Sequence, residues 1–399
     1  MTTRRSSEPV RFMPGDALRV VQIGMGWQSE QAGGLNRMMF ELHHRLGALG
    51  VEMQGLVAGS DLAERETAGR VRAFGALDTP MWRRMRSVDP LLRTMLGGAH
   101  EEVILGHFAP YALGALDAVK EHPFVVYFHG PWSDESVAEG RNAISGFLRR
   151  QLERTVYRRA DACIVLSRAF SELLQQEFGV AAERIRVIPG GVDAARFAAL
   201  PSRAEARAQL GWDAQVPTVL AVRRLVRRTG VDRLIAAAAA LRARVPAVRI
   251  LIAGEGEERA ALEAQARALG AGDAVRFLGF VPEAQLPLAY RAADLTVVPS
   301  ISLEGFGLIV PESLAAGTPV LVTPVGGLPE TVEGLSHALV LWDASAPSIA
   351  DGIAEALTGR RALPSARECI AFATQRYDWP VVAEQVASVL LQVRREWAR

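Results

Sequence analysis

Two glutamates, Glu304 and Glu312, stand eight positions apart and bracket the turn Gly305-Phe306-Gly307-Leu308. The residues that follow, Ser313-Leu314-Ala315-Ala316-Gly317-Thr318-Pro319-Val320, make the turn open directly into a helix. Successive backbone N–H groups of such a turn can point at an anion, and a helix start behind them adds partial positive charge. A pyrophosphate would sit well there. Glu312, about one helical turn in, is placed to accept two hydrogen bonds from a vicinal diol such as a ribose. Glu304, at a strand end, faces the same cavity and could grip a second polyol. A diphosphate flanked by two diols is the chemistry of a nucleotide-sugar. A bare pair of glutamates at this spacing would describe a solvated surface turn equally well. The Phe306–Leu308 core, the following helix and strand, and the motifs below favour binding.

With this element the chain resembles the retaining glycosyltransferases of family four (glycosyl transferases group 1), which have the GT-B fold. The resemblance covers about residues 18–398 and implies roles for several further residues. Gly33 and Gly34, a glycine pair at a helix start, would let the backbone approach the donor diphosphate. His129 ends a buried strand in Tyr127-Phe128-His129-Gly130-Pro131-Trp132, where ligands of open α/β sheets gather, and would touch the donor sugar. A histidine at a strand end is also commonly structural. His107, at the end of the preceding strand, divides evenly between a capping role and contact with the acceptor, and Trp132 is a second acceptor candidate. The segment Arg223-Arg224-Leu225-Val226-Arg227-Arg228-Thr229-Gly230 is similar to the family motif G-R-L-x-x-x-K-G, whose arginine and lysine neutralise the diphosphate. Arg224 occupies the arginine position and can bind phosphate bidentately. Two positions depart from the motif: Arg223 stands where glycine is usual, and Thr229 where lysine is usual. Arg228 is the first candidate for the missing charge, with Arg227 the alternative, and lysine restored at position 229 should be tolerated or mildly activating. Gly254 and Gly256, in a glycine turn at a strand end, would lie by the nucleotide. Phe280 and Val281 would hold the base, and the amides of Phe306, Gly307 and Leu308 would stabilise the charge of the departing diphosphate together with Arg224. Gly326-Gly327-Leu328-Pro329-Glu330 reads as a turn and helix start, where proline is well tolerated.

The elements that must carry these residues follow one scheme. Short apolar runs alternate with helical patterns throughout, which implies parallel α/β construction. Strands are expected at residues 18–24, 102–105, 124–128, 162–166 and 186–188. They recur at 218–222, 249–253, 275–278, 295–299 and 320–322, and a helix follows the first strand over 34–49. A polar, Ala/Arg-rich stretch at 198–216 separates the two series. The expected division is therefore a flexible arm over 1–17, an N-terminal Rossmann-like acceptor domain over 18–198, and a C-terminal Rossmann-like donor domain over 199–378. The resemblance implies that the two domains face each other across a cleft. It also implies that a final helix, 379–399, crosses back to complete the first domain.

Composition narrows the partners. The chain has 399 residues, 49% of them hydrophobic and 22% charged, with a formal net charge of +1. That length suggests two or three domains, and the near-neutral balance speaks against bulk nucleic-acid binding. Cys163 and Cys369 lie in apolar stretches and are expected to stay reduced. Residues 1–17 are basic without an apolar core, unlike a secretory signal, and no apolar run approaches the roughly 18 residues that span a bilayer. A cytoplasmic location is the expectation. Two basic segments with interspersed aromatic and aliphatic residues, 81–96 and 146–159, could lie on the inner face of a membrane. They fit ordinary amphipathic helices better, and Pro90 is expected to break the first. Gly24-Met25-Gly26 lacks the third glycine of a dinucleotide fingerprint at Ser29, which excludes NAD on this reading. No cofactor is implied, since the nucleotide-sugar is a substrate, and no metal, since no D-x-D element stands in a suitable loop.

The reaction these readings imply is transfer of a hexosyl group from a nucleoside-diphosphate sugar to an acceptor hydroxyl of a glycan, glycolipid or small glycoside. The resemblance adds retention of anomeric configuration, with His129, Arg224 and Glu304 as the catalytic group. Two rivals keep the same fold: a sugar-nucleotide epimerase or hydrolase, and a catalytically inactive donor-binding partner subunit.

Overall fold

The computed structural model describes residues 18–97, 102–132 and 143–399. The arm expected over 1–17 lies outside them. The described residues form two compact units: one is 18–97, 102–132 and 143–190 together with Trp379–Arg399, the other Gly191–Asp378. Residues 191–198, read with the first domain from sequence, group with the second unit. Val192 pairs with Asp378 in an isolated bridge, and its amide donates to the Tyr377 carbonyl at 2.7 Å.

The first unit is built on seven strands: β1 Arg19–Ile23, β2 Glu52–Ala58, β3 Val71–Gly75, β4 Val103–Gly106, β5 Phe124–Phe128, β6 Ala162–Val165 and β7 Ile185–Val187. They pair in parallel in the order β3-β2-β1-β4-β5-β6-β7. Parallel strands covered on both faces read as continuous apolar runs, and every residue of Phe124–Phe128 is buried. The final helix, Trp379–Trp397, packs on the helix Gly34–Ala48 and on β4, β5 and β6. Its apolar side chains recur at helical spacing, from Val382 and Val386 to Leu390 and Val393, and all are buried.

The second unit holds β8 Thr218–Val222, β9 Arg249–Ala253, β10 Val275–Gly279, β11 Leu295–Val298 and β12 Val320–Val322. These pair in parallel in the order β10-β9-β8-β11-β12. The helix Val231–Arg244 turns Val231, Leu234, Ala238 and Leu241 inward onto this sheet and onto the helix Ala346–Leu357. Fully burying one such Leu or Val side chain stabilises the fold by about 1.5–3 kcal/mol. Strand order reverses between β1 and β4 in one sheet and between β8 and β11 in the other. Residues just past the carboxyl ends of those strands line the crevice where open α/β sheets take ligands.

Three readings change. Strands β2 and β3 were not expected, and β7 begins one residue earlier than its expected start. The helix Met81–Met95 runs through Pro90 instead of breaking there. Cys163 and Cys369 are free and buried, and burial pushes each thiol up to about 12.

Candidate functional site

The second unit brings the glutamate turn and the arginine segment together at the β8/β11 reversal. The chain leaves β8 at Val222, and Arg223 and Leu225 continue the pairing by donating to the carbonyls of Ala253 and Glu255, each at 2.8 Å. Gly254, with φ +131°, lets this happen: a Cβ there would lie 1.9 Å from the Arg223 carbonyl oxygen. From this locked backbone the Arg223 guanidinium donates to Ser300 Oγ at 2.7 Å and to the Glu304 carboxylate. Ser300 Oγ itself donates to Glu304 Oε2 at 2.8 Å. Burial pushes the Glu304 carboxyl up, but the Arg223 charge and hydrogen bond, the Ser300 hydroxyl and the Arg228 charge together bring it below the usual carboxylate range.

The loop preceding Glu304 is strained and pinned. Leu303 sits at φ +51°, a left-handed conformation that costs a residue with a side chain roughly 1–2 kcal/mol. Arg228 Nη1 donates to the Leu303 carbonyl at 3.2 Å, and the Arg228 carbonyl accepts from the Ile301 amide at 3.0 Å. On the other side the Glu304 carbonyl accepts from Gly327 N at 2.9 Å, and Gly326 leaves room for it, since a Cβ there would come within 2.1 Å. Arg228 thus reaches the glutamate loop, whereas the side chains of Arg224 and Arg227 are exposed. Thr229 is buried; its hydroxyl donates to the carbonyls of Arg224 at 3.0 Å and Val226 at 2.7 Å. A lysine there would lose both bonds, so position 229 is built for a short hydroxyl side chain and not for a cation.

After Glu304 the turn runs into the helix Ile309–Ala315. The Phe306 ring is buried edge-on against Tyr377, at 5.4 Å between centroids. The amides of Phe306, Gly307 and Leu308 donate no hydrogen bond among the described residues. Glu312 is buried and accepts from Tyr290 Oη at 2.8 Å. Past β10, Phe280 stands 64% exposed beside the half-buried Val281 and offers a free aromatic face. Gly254 and Gly256 press on the backbone of Arg223 and Leu225.

In the first unit His107 and His129 follow β4 and β5. His107 is buried, with Nδ1 3.1 Å from His129 Nε2 and Nε2 3.1 Å from Gln22 Nε2. Both of its ring nitrogens are therefore engaged inside the protein. Tyr127 stacks on both rings, at 5.7 and 4.9 Å. Burial pushes His129 down to about 3 and His107 well below its ordinary value, with the neighbouring His129 adding to the latter. The Trp132 ring lies under the Arg149 guanidinium at 4.5 Å, and its amide donates to Glu153 Oε1 at 2.9 Å. Gly33 is exposed and extended, with open space where a Cβ would be; its amide donates to Gln28 Oε1 at 3.3 Å, and Gly34 begins the helix. Sequence reading did not single out Gln22, Tyr290 or Ser300. It named Arg223 only as a departure, and that departure was the available signal.

Two family models match the chain in succession: "Glycosyltransferase Family 4" over residues 32–196 and "Glycosyl transferases group 1" over 202–376. A GDP-mannose-dependent alpha-(1-6)-phosphatidylinositol monomannoside mannosyltransferase of Mycobacterium tuberculosis is 34% identical over 221 residues, 53% of this chain. The match spans 57% of that enzyme, little more than half its length. A glycogen synthase of the same species is 29% identical over 95% of both chains. Anabaena HepE, solved in complex with UDP, superposes with a TM-score of 0.76 at 22% identity, covering 94% of this chain and all of that one. The matched families and the two Rossmann-like units agree, and the chain belongs to the family 4, group 1 glycosyltransferases of GT-B fold.

Proposed function

We propose that this protein transfers a hexosyl group from a nucleoside-diphosphate sugar to an acceptor hydroxyl, with retention of configuration and without a metal. The observation that carries the reading is the ionised Glu304 held at the β8/β11 reversal, followed by open turn amides and by Glu312. Glu312 takes the ribose diol and Glu304 the sugar. The amides of Phe306, Gly307 and Leu308, with Arg224 and Arg228, take the diphosphate, and exposed Phe280 takes the base. Departure of an anionic diphosphate is the barrier, and donors fixed before the reaction are the strongest way to lower it. His129, kept neutral at physiological pH by its burial, is the further residue assigned to the sugar. The leaving phosphate, on the same face as the acceptor, helps remove the acceptor proton. The mannosyltransferase and glycogen synthase relatives support a hexosyl donor, and the UDP complex of HepE supports a nucleotide ligand.

A lipid-linked acceptor is favoured by exposed apolar side chains on two arginine-rich helices. Trp82, Phe147 and Leu148 are more than half exposed on helices rich in arginine, with Arg83 and Arg86 over the Trp82 ring. No helix among the described residues is long and apolar enough to cross a membrane.

The test is a thermal-shift screen of UDP-, GDP- and ADP-hexoses, followed by turnover with acceptor mixtures and NMR of the product anomer, with and without EDTA. Stabilisation by one donor series and a retained anomer in EDTA are expected. An inverted product, or loss of turnover in EDTA, refutes the mechanism. Turnover without acceptor would identify an epimerase or hydrolase, and donor binding without any turnover an inactive partner.

A further inference from the structure

The geometry points to Arg223 as a positioning residue for Glu304: with Ser300 it fixes one carboxylate oxygen so that the other is presented to the donor sugar. This inference rests on the reading of Glu304 as the sugar-binding carboxylate. Three observations carry it.

The first is the pattern of bonds on the carboxylate. Arg223 Nη2 and Ser300 Oγ both donate to Oε2, and Arg223 Nη2 donates to Ser300 Oγ as well. The three groups close a triangle on a single oxygen. Oε1 accepts no hydrogen bond among the described residues. The second is burial. The side chains of Arg223 and Glu304 are only 8% and 12% exposed. A guanidinium and a carboxylate so withdrawn from water persist only as a well-made pair, and loss of either partner leaves an uncompensated charge. The third is the sequence departure. A glycine at 223, the residue of the similar motif, could not reach Glu304 at all. The arginine here is added chemistry, and its backbone is held in place by the Ala253 carbonyl and by the absence of a side chain at Gly254.

The groups facing Glu304 define what the arrangement does. Arg223 comes from the end of β8, Ser300 from the end of β11, and Arg228 from the turn after Val226, near enough to lower the carboxyl further. A free glutamate side chain samples many rotamers and must be frozen each time a sugar arrives. Here that freedom is already gone, and the carboxylate stays ionised where burial alone would favour its neutral form. Arg223 therefore acts on the sugar step through Glu304 and not on the diphosphate.

The experiment compares wild type with R223M, R223K, R223G and S300A. Nucleoside-diphosphate affinity is read by calorimetry, turnover at saturating donor across pH 4–9, and the Glu304 carboxyl by carbon-13 NMR of glutamate-labelled protein, assigned with E304Q. R223M should lower turnover by about tenfold or more, leave nucleoside-diphosphate Kd within about twofold, and move the acid limb of the pH profile and the Glu304 titration to higher pH. R223K should restore most of the turnover and the acid limb. S300A, which keeps all charges and is the milder change should R223M or R223G fold poorly, should move both in the same direction by less. Unchanged turnover and acid limb in R223M and S300A overturn the inference, as does turnover in R223G equal to wild type. Nucleoside-diphosphate affinity falling in step with turnover also overturns it, because Arg223 would then serve the phosphates. A wild type that binds no nucleoside diphosphate refutes the proposed function instead, while the carbon-13 titration still reports whether Arg223 controls Glu304.

Discussion

His107 Nδ1 lies 3.1 Å from His129 Nε2, with the two rings 21° from parallel. Two imidazole nitrogens at this distance share one proton, so one donates and the other accepts. Gln22 Nε2, an amide donor as oriented, stands 3.1 Å from His107 Nε2 and makes that nitrogen the acceptor. The His107 proton is then on Nδ1 and goes to His129 Nε2. His129 is left with its own proton on Nδ1, a tautomer set by His107 and Gln22.

This pair makes stability depend on pH. Both histidines have folded pKa values below the ordinary 6.5, His129 at about 3. Their contribution is fully present above 6.5 and is lost as pH falls, because the unfolded chain takes up protons that the native state refuses. The loss approaches about 1.4 kcal/mol per histidine per pH unit. The urea midpoint should fall between pH 7 and pH 5, and fall less steeply in H107Q and H129Q. Equal slopes in all three proteins would show that other groups set the dependence.

Glu304→Ala and His129→Ala should each cut turnover by about 10²-fold or more, as expected for groups that act on the reacting sugar. The affinity for free nucleoside diphosphate should stay near wild type in both. A collapse of that affinity would move the sugar pocket elsewhere.

Glu312 should behave in the opposite way. Glu312→Ala removes charge-assisted bonds to a diol worth about 1.5–3 kcal/mol, which is about 10- to 150-fold in nucleotide affinity. Tyr290→Phe removes the hydroxyl that orients Glu312 and should lose about fivefold, near 1 kcal/mol. Calorimetry that finds Glu312→Ala binding as tightly as wild type excludes Glu312 from the nucleotide site.

Arg228→Ala should lose far more activity at saturating donor than Arg227→Ala, because Arg228 alone of the two is bonded to the Leu303 carbonyl beside Glu304. Thr229→Lys, which sequence reading treats as tolerable, should destabilise the fold by about 1–3 kcal/mol through loss of two buried carbonyl contacts. Similar small losses from both arginine variants would mean that neither serves the donor, and a wild-type melting temperature for Thr229→Lys would contradict the packing.

The strands at 124–128, 218–222, 249–253 and 320–322 are legible to the residue because each is a buried run bounded by turn residues. Strand β2 escapes notice because Gln54 and Gly55 interrupt its apolar run, and β3 because it is a short edge strand carrying Arg72. Pro90 reads as a breaker, yet a helix packed by Val88, Leu92 and Met95 carries it through. At the site, residue types near a strand end were visible, but partners were not. Arg223 and Glu304 are 81 positions apart, and only the folded sheet brings them into contact. A motif comparison registers Arg223 as a missing glycine. The side chain it adds becomes visible only through what it touches.

The bond between Val192 and Tyr377 means that the second unit begins and ends at one place. A segment whose two ends are stitched together can be lifted out of a chain without leaving a gap to span. Residues 191–378 therefore have the makings of an exchangeable cassette. Expressed alone, the segment should retain its five-stranded sheet, and grafted between relatives it should carry donor preference with it while the host keeps its choice of acceptor.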